Sequence, residues 1–300
     1  MEKVFNRKLS FKTKRNIIGY SFIAPAILFF IVFTIIPLIM SIYLSLYRTN
    51  IYFINMEFVG IDNFKRIFSD TQLWTSIKNI LFYTLMAVPL NIAISLSMAL
   101  LTNTNIKGAK AFRFIYYLPG VTSAVAASTV WLWLMNPSYG LLNNILTSLG
   151  LPPGTWLTHS KTALFSVTIV TVWMGVSANM IIFLAALQNI PTQLYEAARL
   201  DGANKIVMFF KITLPIILPT MYFILTMTLI GAFQLYDQVF VLTQGGPAGA
   251  TWTPVYLIWQ NSFGNTASQA GYAAAQSIVL FVIIMTVTLV VRRLDRDITK

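Results

Sequence analysis

The chain has 300 residues, 57% of them hydrophobic and only 10% charged, with a formal net charge of +12. Soluble domains run at about 45–50% apolar and about 25% charged, so a chain with a mean hydropathy of +0.71 cannot cover itself with polar surface in water. The lack of any cysteine excludes disulfides, thiolate metal sites and thiol nucleophiles, and the single histidine, His159, cannot form a histidine cluster alone.

Charged residues divide the rest into long uncharged windows at 16–47, 79–106, 114–160, 162–195, 212–236 and 238–291. A membrane-crossing helix needs about 20 apolar residues, because about 30 Å of hydrocarbon is crossed at about 1.5 Å per residue. Each window holds one such stretch. The pattern predicts six spans near 18–46, 79–102, 112–135, 163–187, 212–236 and 272–291 in an all-α integral membrane protein.

The first span follows a basic run, Lys3, Arg7, Lys8, Lys12, Lys14 and Arg15. A secretory signal has an apolar core of about 7–15 residues; this one is roughly twice that and lacks a small-x-small exit, so it reads as an uncleaved helix. Pro25 and Pro37 within it should kink the helix without ending it, as bilayer helices tolerate. Trp74, Trp156, Trp252 and Trp259 fall in or beside external segments, and Trp131 and Trp133 near the outer end of the third span. All six read as interfacial anchors.

On the fourth span Met174, Gly175, Ala178 and Asn179 share a face by i, i+3, i+4 spacing. On the fifth, Thr228, Ala232 and Leu235 form a stripe, with Gln234 and Tyr236 beside it near the outer end. Small residues leave room for a solute, and an amide both donates and accepts. The same residue types also serve close helix packing in lipid, so these faces have two readings. Asn91 and Gln276, two further intramembrane amides, read as interhelical hydrogen bonders.

Between those spans lies a polar loop, 188–215. Pro191 suits a helix start, and Asp201-Gly202 a helix stop, with Gly free to adopt the left-handed conformation. Beyond it Ile206, Phe209 and Phe210 form a short apolar stripe, so the loop is expected to be a helix–turn–helix at the membrane surface. A surface helix could serve only as a lipid anchor or could dock a cytoplasmic partner.

Six spans put both termini on one side, and that side collects 16 of the 21 basic residues: the N-terminal run, Lys107, Lys110, Arg113, Arg199, Lys205, Lys211, Arg292, Arg293, Arg296 and Lys300. The other side holds Arg48, Lys65, Arg66, Lys78 and Lys161. The positive-inside rule then makes both termini cytoplasmic. The charge is scattered over span ends and forms no contiguous patch, which excludes nucleic acid as its explanation. The spans contain almost no ionisable side chain, which argues against proton coupling and for a neutral solute such as a sugar. A membrane enzyme would need a carboxylate pair, a histidine cluster or an activated nucleophile, and a secondary carrier inverted repeats and ion-coordinating broken helices; neither is visible.

Glu196-Ala197-Ala198, Arg199, Asp201-Gly202-Ala203 and Ile212-x-Leu214-Pro215 together resemble the EAA loop of ABC importer permeases. Trp173-Met174-Gly175, Leu187-Gln188-Asn189-Ile190-Pro191, Thr243-Gln244-Gly245-Gly246-Pro247 and Gly271-Tyr272-Ala273-Ala274-Ala275-Gln276 resemble the carbohydrate-uptake branch, in its maltose F-like and glycerol-phosphate A-like form. The resemblance implies the type I importer permease fold and the following division: basic tail 1–16, first helix 17–47, external segment 48–74, permease domain 75–292 with the coupling loop 188–215, and tail 293–300. It implies a subunit of an oligosaccharide importer without enzymatic activity, metal or cofactor of its own, in agreement with the lack of a phosphate-binding G-x-x-x-x-G-K-[ST] loop. Its implied partners are a second, G-like permease chain, two cytoplasmic ATPase subunits, an extracytoplasmic sugar-binding protein, lipid and the sugar. Glycerol phosphate remains an alternative solute. By the same resemblance Glu196, Ala197, Ala198, Arg199, Asp201, Gly202, Leu214 and Pro215 couple to the ATPase, and the fourth- and fifth-span faces line the sugar path.

Overall fold

The computed structural model describes residues 11–103, 109–264 and 269–298. Lys3, Arg7, Lys8, Lys107 and Lys300 of the charge count, and most of the N-terminal tail, lie outside the described residues.

Among the described residues, five helices are long and apolar enough to cross a membrane: Arg15–Ser45, Thr71–Thr102, Ser160–Gln188, Lys205–Phe233 and Ala270–Arg293. They are the first, second, fourth, fifth and sixth spans. The third differs from expectation. Instead of one helix over 112–135, Ala111–Val121 and Ala124–Leu134 meet at 100°. Pro119 supplies no N–H and Gly120 no side chain, and Ser123 leaves the helix in an extended conformation (φ −55°, ψ 134°). A Cβ on Gly120 would lie 2.8 Å from Ser177 Cβ, so the bend is seated directly on the fourth span.

Prolines elsewhere do not break the spans. The chain is helical from Phe11 to Ser45, with a π-helical turn, Ile31–Ile35, just before Pro37. The fifth span repeats the device, with Phe209–Thr213 just before Pro215. Proline lacks the N–H for an i→i−4 bond and its ring crowds that carbonyl; widening the preceding turn lets the ladder continue.

Burial falls on the second and fourth spans, which pack along their length around Ile80, Tyr83, Val167 and Val170, with Phe233 and Val239 closing the cluster. A second cluster, Met180, Phe183, Leu187, Ile190, Ile217 and Ile224, lies beside the polar loop. Lipid tails are as apolar as leucine, so packing and not expulsion from water holds these helices together. The fully buried Ser76, Ser95, Ala99 and Ala275 suit that need for close backbone approach. The most apolar stretch of the first span is 0% buried and faces outward, while its last turns, Ile36–Ser45, pack on the sixth span.

The segment between the first and second spans folds over this junction. Tyr47–Arg48 pairs antiparallel with Glu57–Phe58, and a short helix, Asp62–Ser69, follows. The Asn63 amide donates to the carbonyls of Ser45 (2.8 Å) and Tyr47 (2.9 Å), satisfying acceptors at the end of the first span. The Asp70 carboxylate accepts from the N–H groups of Gln72 and Leu73 and caps the second span. It also accepts from the Tyr272 hydroxyl, while the Arg66 guanidinium lies 4.0 Å above the Tyr272 ring. Three elements are thereby joined at the start of the sixth span.

Candidate functional site

A cavity of about 670 Å³ opens among the second, fourth and fifth spans. All nine residues expected to line a solute path border it: Met174, Gly175, Ala178 and Asn179 of the fourth span, Thr228 and Ala232 of the fifth, and Gln234, Leu235 and Tyr236 just beyond its C-terminal end. Sequence reasoning missed the rest of the wall. Tyr83, Ala87 and Asn91 of the second span also line it, as do Gly120 at the bend, Gly231, Asp237 and Gln238. Their i, i+4, i+8 spacing on the second span was the signal available for the first three.

An amide cluster links the three walls. Asn179 Nδ2 donates to Asn91 Oδ1 (2.6 Å) and to Thr228 Oγ1 (2.9 Å), using both amide protons. Asn91 is only 4% exposed, and Ser95 donates to its carbonyl oxygen, so it is both the interhelical bonder expected and part of the wall. Gln276 accepts from Asn261 Nδ2 at 3.0 Å. A Cβ on Gly175 would lie 2.5 Å from Asn91 Nδ2, so glycine is what lets the amide reach across.

The lining carries one carboxylate, Asp237, and no lysine, arginine or histidine. Aromatic rings gather beside it: Tyr236 stacks on Phe240 with centroids 5.5 Å apart, and Trp259 meets Phe240 edge-on at 4.9 Å. The Gly-Gly-Pro loop closes this end. Asn79 donates to the carbonyls of Gly249 (3.0 Å) and Trp252 (3.1 Å), Tyr256 to that of Gln244 (2.8 Å), and Thr251 to that of Gly246 (2.7 Å). Trp252 lies against Gly245 and Gly249, both at positive φ, where a side chain would strike its ring. Trp252, and Trp156 through its bond to Asn143 Oδ1 (2.7 Å), thus hold loops together, beyond the anchoring role expected.

In the polar loop, Pro191 precedes a helix, Thr192–Leu200, none of whose residues is buried; Leu200 is 90% exposed. The helix ends as expected at Asp201-Gly202. Gly202 takes φ +77°, its N–H donates to the Arg199 carbonyl, and the Ala203 N–H donates to that of Ala198, a Schellman termination. Glu196 and Arg199 are exposed and neither forms an ion pair among the described residues. The second helix of the expected helix–turn–helix is not separate. Asn204 caps it through the Val207 N–H (2.9 Å), and it runs on through Leu214 and Pro215 as the foot of the fifth span. Tyr195 hydrogen-bonds Thr213 across this turn at 2.8 Å.

A polytopic helical protein with an amide-bearing cavity among its spans and an exposed loop helix at the foot of a cavity-lining span has the architecture of an importer permease. Residues 92–300 match the family described as binding-protein-dependent transport system inner membrane component, and the chain belongs to it. It is 36% identical to a probable ABC transporter permease, YesP, of Bacillus subtilis, over 92% of this chain and 90% of that one. It is 33% identical to the trehalose/maltose transport system permease MalF of Thermococcus litoralis, over 99% of both. It is 34% identical to the sn-glycerol-3-phosphate permease UgpA of Escherichia coli, over 90% and 91%. Among solved structures, a bacterial ABC transporter importing the acidic polysaccharide alginate matches with a TM-score of 0.81 at 27% identity, covering 96% of this chain and 98% of that one. The MetNI methionine transporter, at 17% identity, TM-score 0.56 and coverage of 76% and 96%, shares the fold. The chain has the type I ABC importer permease fold and is a membrane-spanning component of an ATP-driven importer.

Proposed function

We propose that this chain forms half of the passage for an uncharged oligosaccharide, paired with a separate G-like permease chain. The convergence of all nine expected residues on one cavity carries this reading. Hydroxyl-rich solutes are held by neutral donors and acceptors such as Asn179, Thr228 and Gln234, and by aromatic faces such as Tyr236. Anion recognition relies on arginine or lysine, and the lining has neither, which favours a neutral sugar over glycerol phosphate or an acidic polysaccharide. Both termini are cytoplasmic on the charge count, which puts the 188–215 loop on the side of the ATP supply.

In this reading two ATPase subunits hydrolyse ATP, an extracytoplasmic binding protein delivers the sugar, and the Thr192–Leu200 helix receives the ATPase stroke. Glu196 and Arg199 offer opposite charges to the docking surface, Ala197 and Ala198 allow close approach, and Gly202 sets the turn. Leu214 and Pro215 lie in the span that carries the motion to Thr228 and Ala232. The assembled importer in vesicles tests this: Glu196→Lys should leave the subunit inserted yet abolish ATP-driven sugar uptake. Parental uptake by that variant would defeat the coupling assignment.

A further inference from the structure

We propose that Tyr195 is a positioning residue for coupling, whose bond to Thr213 ties the exposed loop helix to the fifth span; the proposal rests on the coupling reading above. The Thr192–Leu200 helix has no buried residue of its own to hold it to the bundle. Tyr195 is the exception in kind: its ring packs against the cluster of Phe183, Leu187 and Ile217, and its hydroxyl reaches Thr213 Oγ1 at 2.8 Å. Thr213 is 5% exposed and closes the π-helical turn Phe209–Thr213. The Thr213 hydroxyl also lies 3.5 Å from the Met208 carbonyl, five residues back, and either hydroxyl of the pair can donate.

The placement has a mechanical consequence. Between the loop helix and the fifth span the chain itself passes through Asp201–Asn204, a turn. A push on the helix could be absorbed there. The Tyr195–Thr213 bond bypasses the turn and enters the span at the end of its widened segment, from which the helix continues through Pro215 and Pro219 without a break as far as Phe233. Thr228 lies fifteen residues further along, about 22 Å at about 1.5 Å per residue, and is hydrogen-bonded to Asn179 in the cavity. One hydroxyl pair therefore connects the docking helix to the wall of the passage through a single rigid element.

The test uses the assembled importer in membranes and needs no knowledge of the sugar. The chain has no cysteine, so Gly231→Cys, placed in open space on the cavity wall, reports access by its rate of reaction with a water-soluble maleimide. The readout is the change in that rate on adding ATP and vanadate. Tyr195→Phe, which keeps the ring, should reduce the nucleotide-dependent change about fivefold, the population shift expected for one partly buried hydrogen bond. Thr213→Val should do the same, Thr213→Ser should restore the parental response, and the double variant should be no worse than either single one. Co-purification of the ATPase with each variant separates lost coupling from lost assembly. A parental response in Tyr195→Phe, or additive losses in the double variant, would overturn the proposal. Glu196→Lys, measured alongside, tests the coupling reading separately: an unchanged response there together with a reduced one in Tyr195→Phe would sink the role of Glu196 and leave the strut standing.

Discussion

Gly175→Ala is the substitution whose effect the structure determines most closely. The new methyl would sit 2.5 Å from Asn91 Nδ2 and 3.7 Å from its Cγ, so the amide must retreat by about 1 Å to reach ordinary contact. Asn91 holds Asn179 through its Oδ1 at 2.6 Å and has almost no exposure to water. Retreat breaks that bond and strands a buried amide. An interhelical hydrogen bond in a bilayer is worth about 0.6 kcal/mol on average, and an unsatisfied buried polar group costs about 1–3 kcal/mol. The sum, about 1.6–3.6 kcal/mol, should lower the thermal midpoint of the detergent-purified importer by a few degrees. Gly231→Ala is the control. It lines the same cavity from the fifth span with no atom within 4 Å of its Cβ position, and alanine is the better helix former by about 1 kcal/mol, so its midpoint should hold or rise. Adding Asn91→Ala to Gly175→Ala removes the clashing amide, so the pair should lose less than the sum of the singles. Equal midpoints for Gly175→Ala and the parent, or equal losses for both glycines, would refute the packing argument.

Gly202→Val meets no neighbour but forces a β-branched residue to φ +77°, at a cost of roughly 1–3 kcal/mol in backbone strain. Sugar uptake per ATP should fall while membrane insertion, read by immunoblot, stays parental; unchanged stoichiometry would count against a fixed turn. Gly271→Ala would drive a methyl into the Tyr47 carbonyl oxygen at the junction of the first and sixth spans. Limited proteolysis of the segment 48–63 should accelerate severalfold, and parental resistance would contradict the close packing there.

The legible parts of the fold were those written in local pattern. Charge-free windows mark the spans, and Asp201-Gly202 marks the end of the loop helix, because a left-handed glycine is a local requirement. The bend at Pro119-Gly120 was not read, although both residues were visible, since an apolar window of that length fits one straight span equally well. What decides it is the seat that Ser177 provides for Gly120, a long-range contact. The fifth span, expected over 212–236, extends back to Lys205, because Lys211 closes the uncharged window while the π turn Phe209–Thr213 carries the helix on across it. In the cavity, the fourth- and fifth-span faces followed from helical spacing. The second-span wall of Tyr83, Ala87 and Asn91 has the same spacing, but of the three only the Asn91 amide stands out in an apolar span, and by itself it reads as an interhelical hydrogen bonder. The geometry gives it both tasks.

The passage itself can be tested by filling it. Gly231 lines the cavity and has nothing within 4 Å of its Cβ position, so Gly231→Trp directs a large ring into the passage. The measurement is ATP-driven uptake by the reconstituted importer of the sugar that stabilises its binding protein. Uptake should fall to background while the complex assembles with its parental thermal midpoint. Parental uptake through the filled cavity would contradict its assignment as the sugar path.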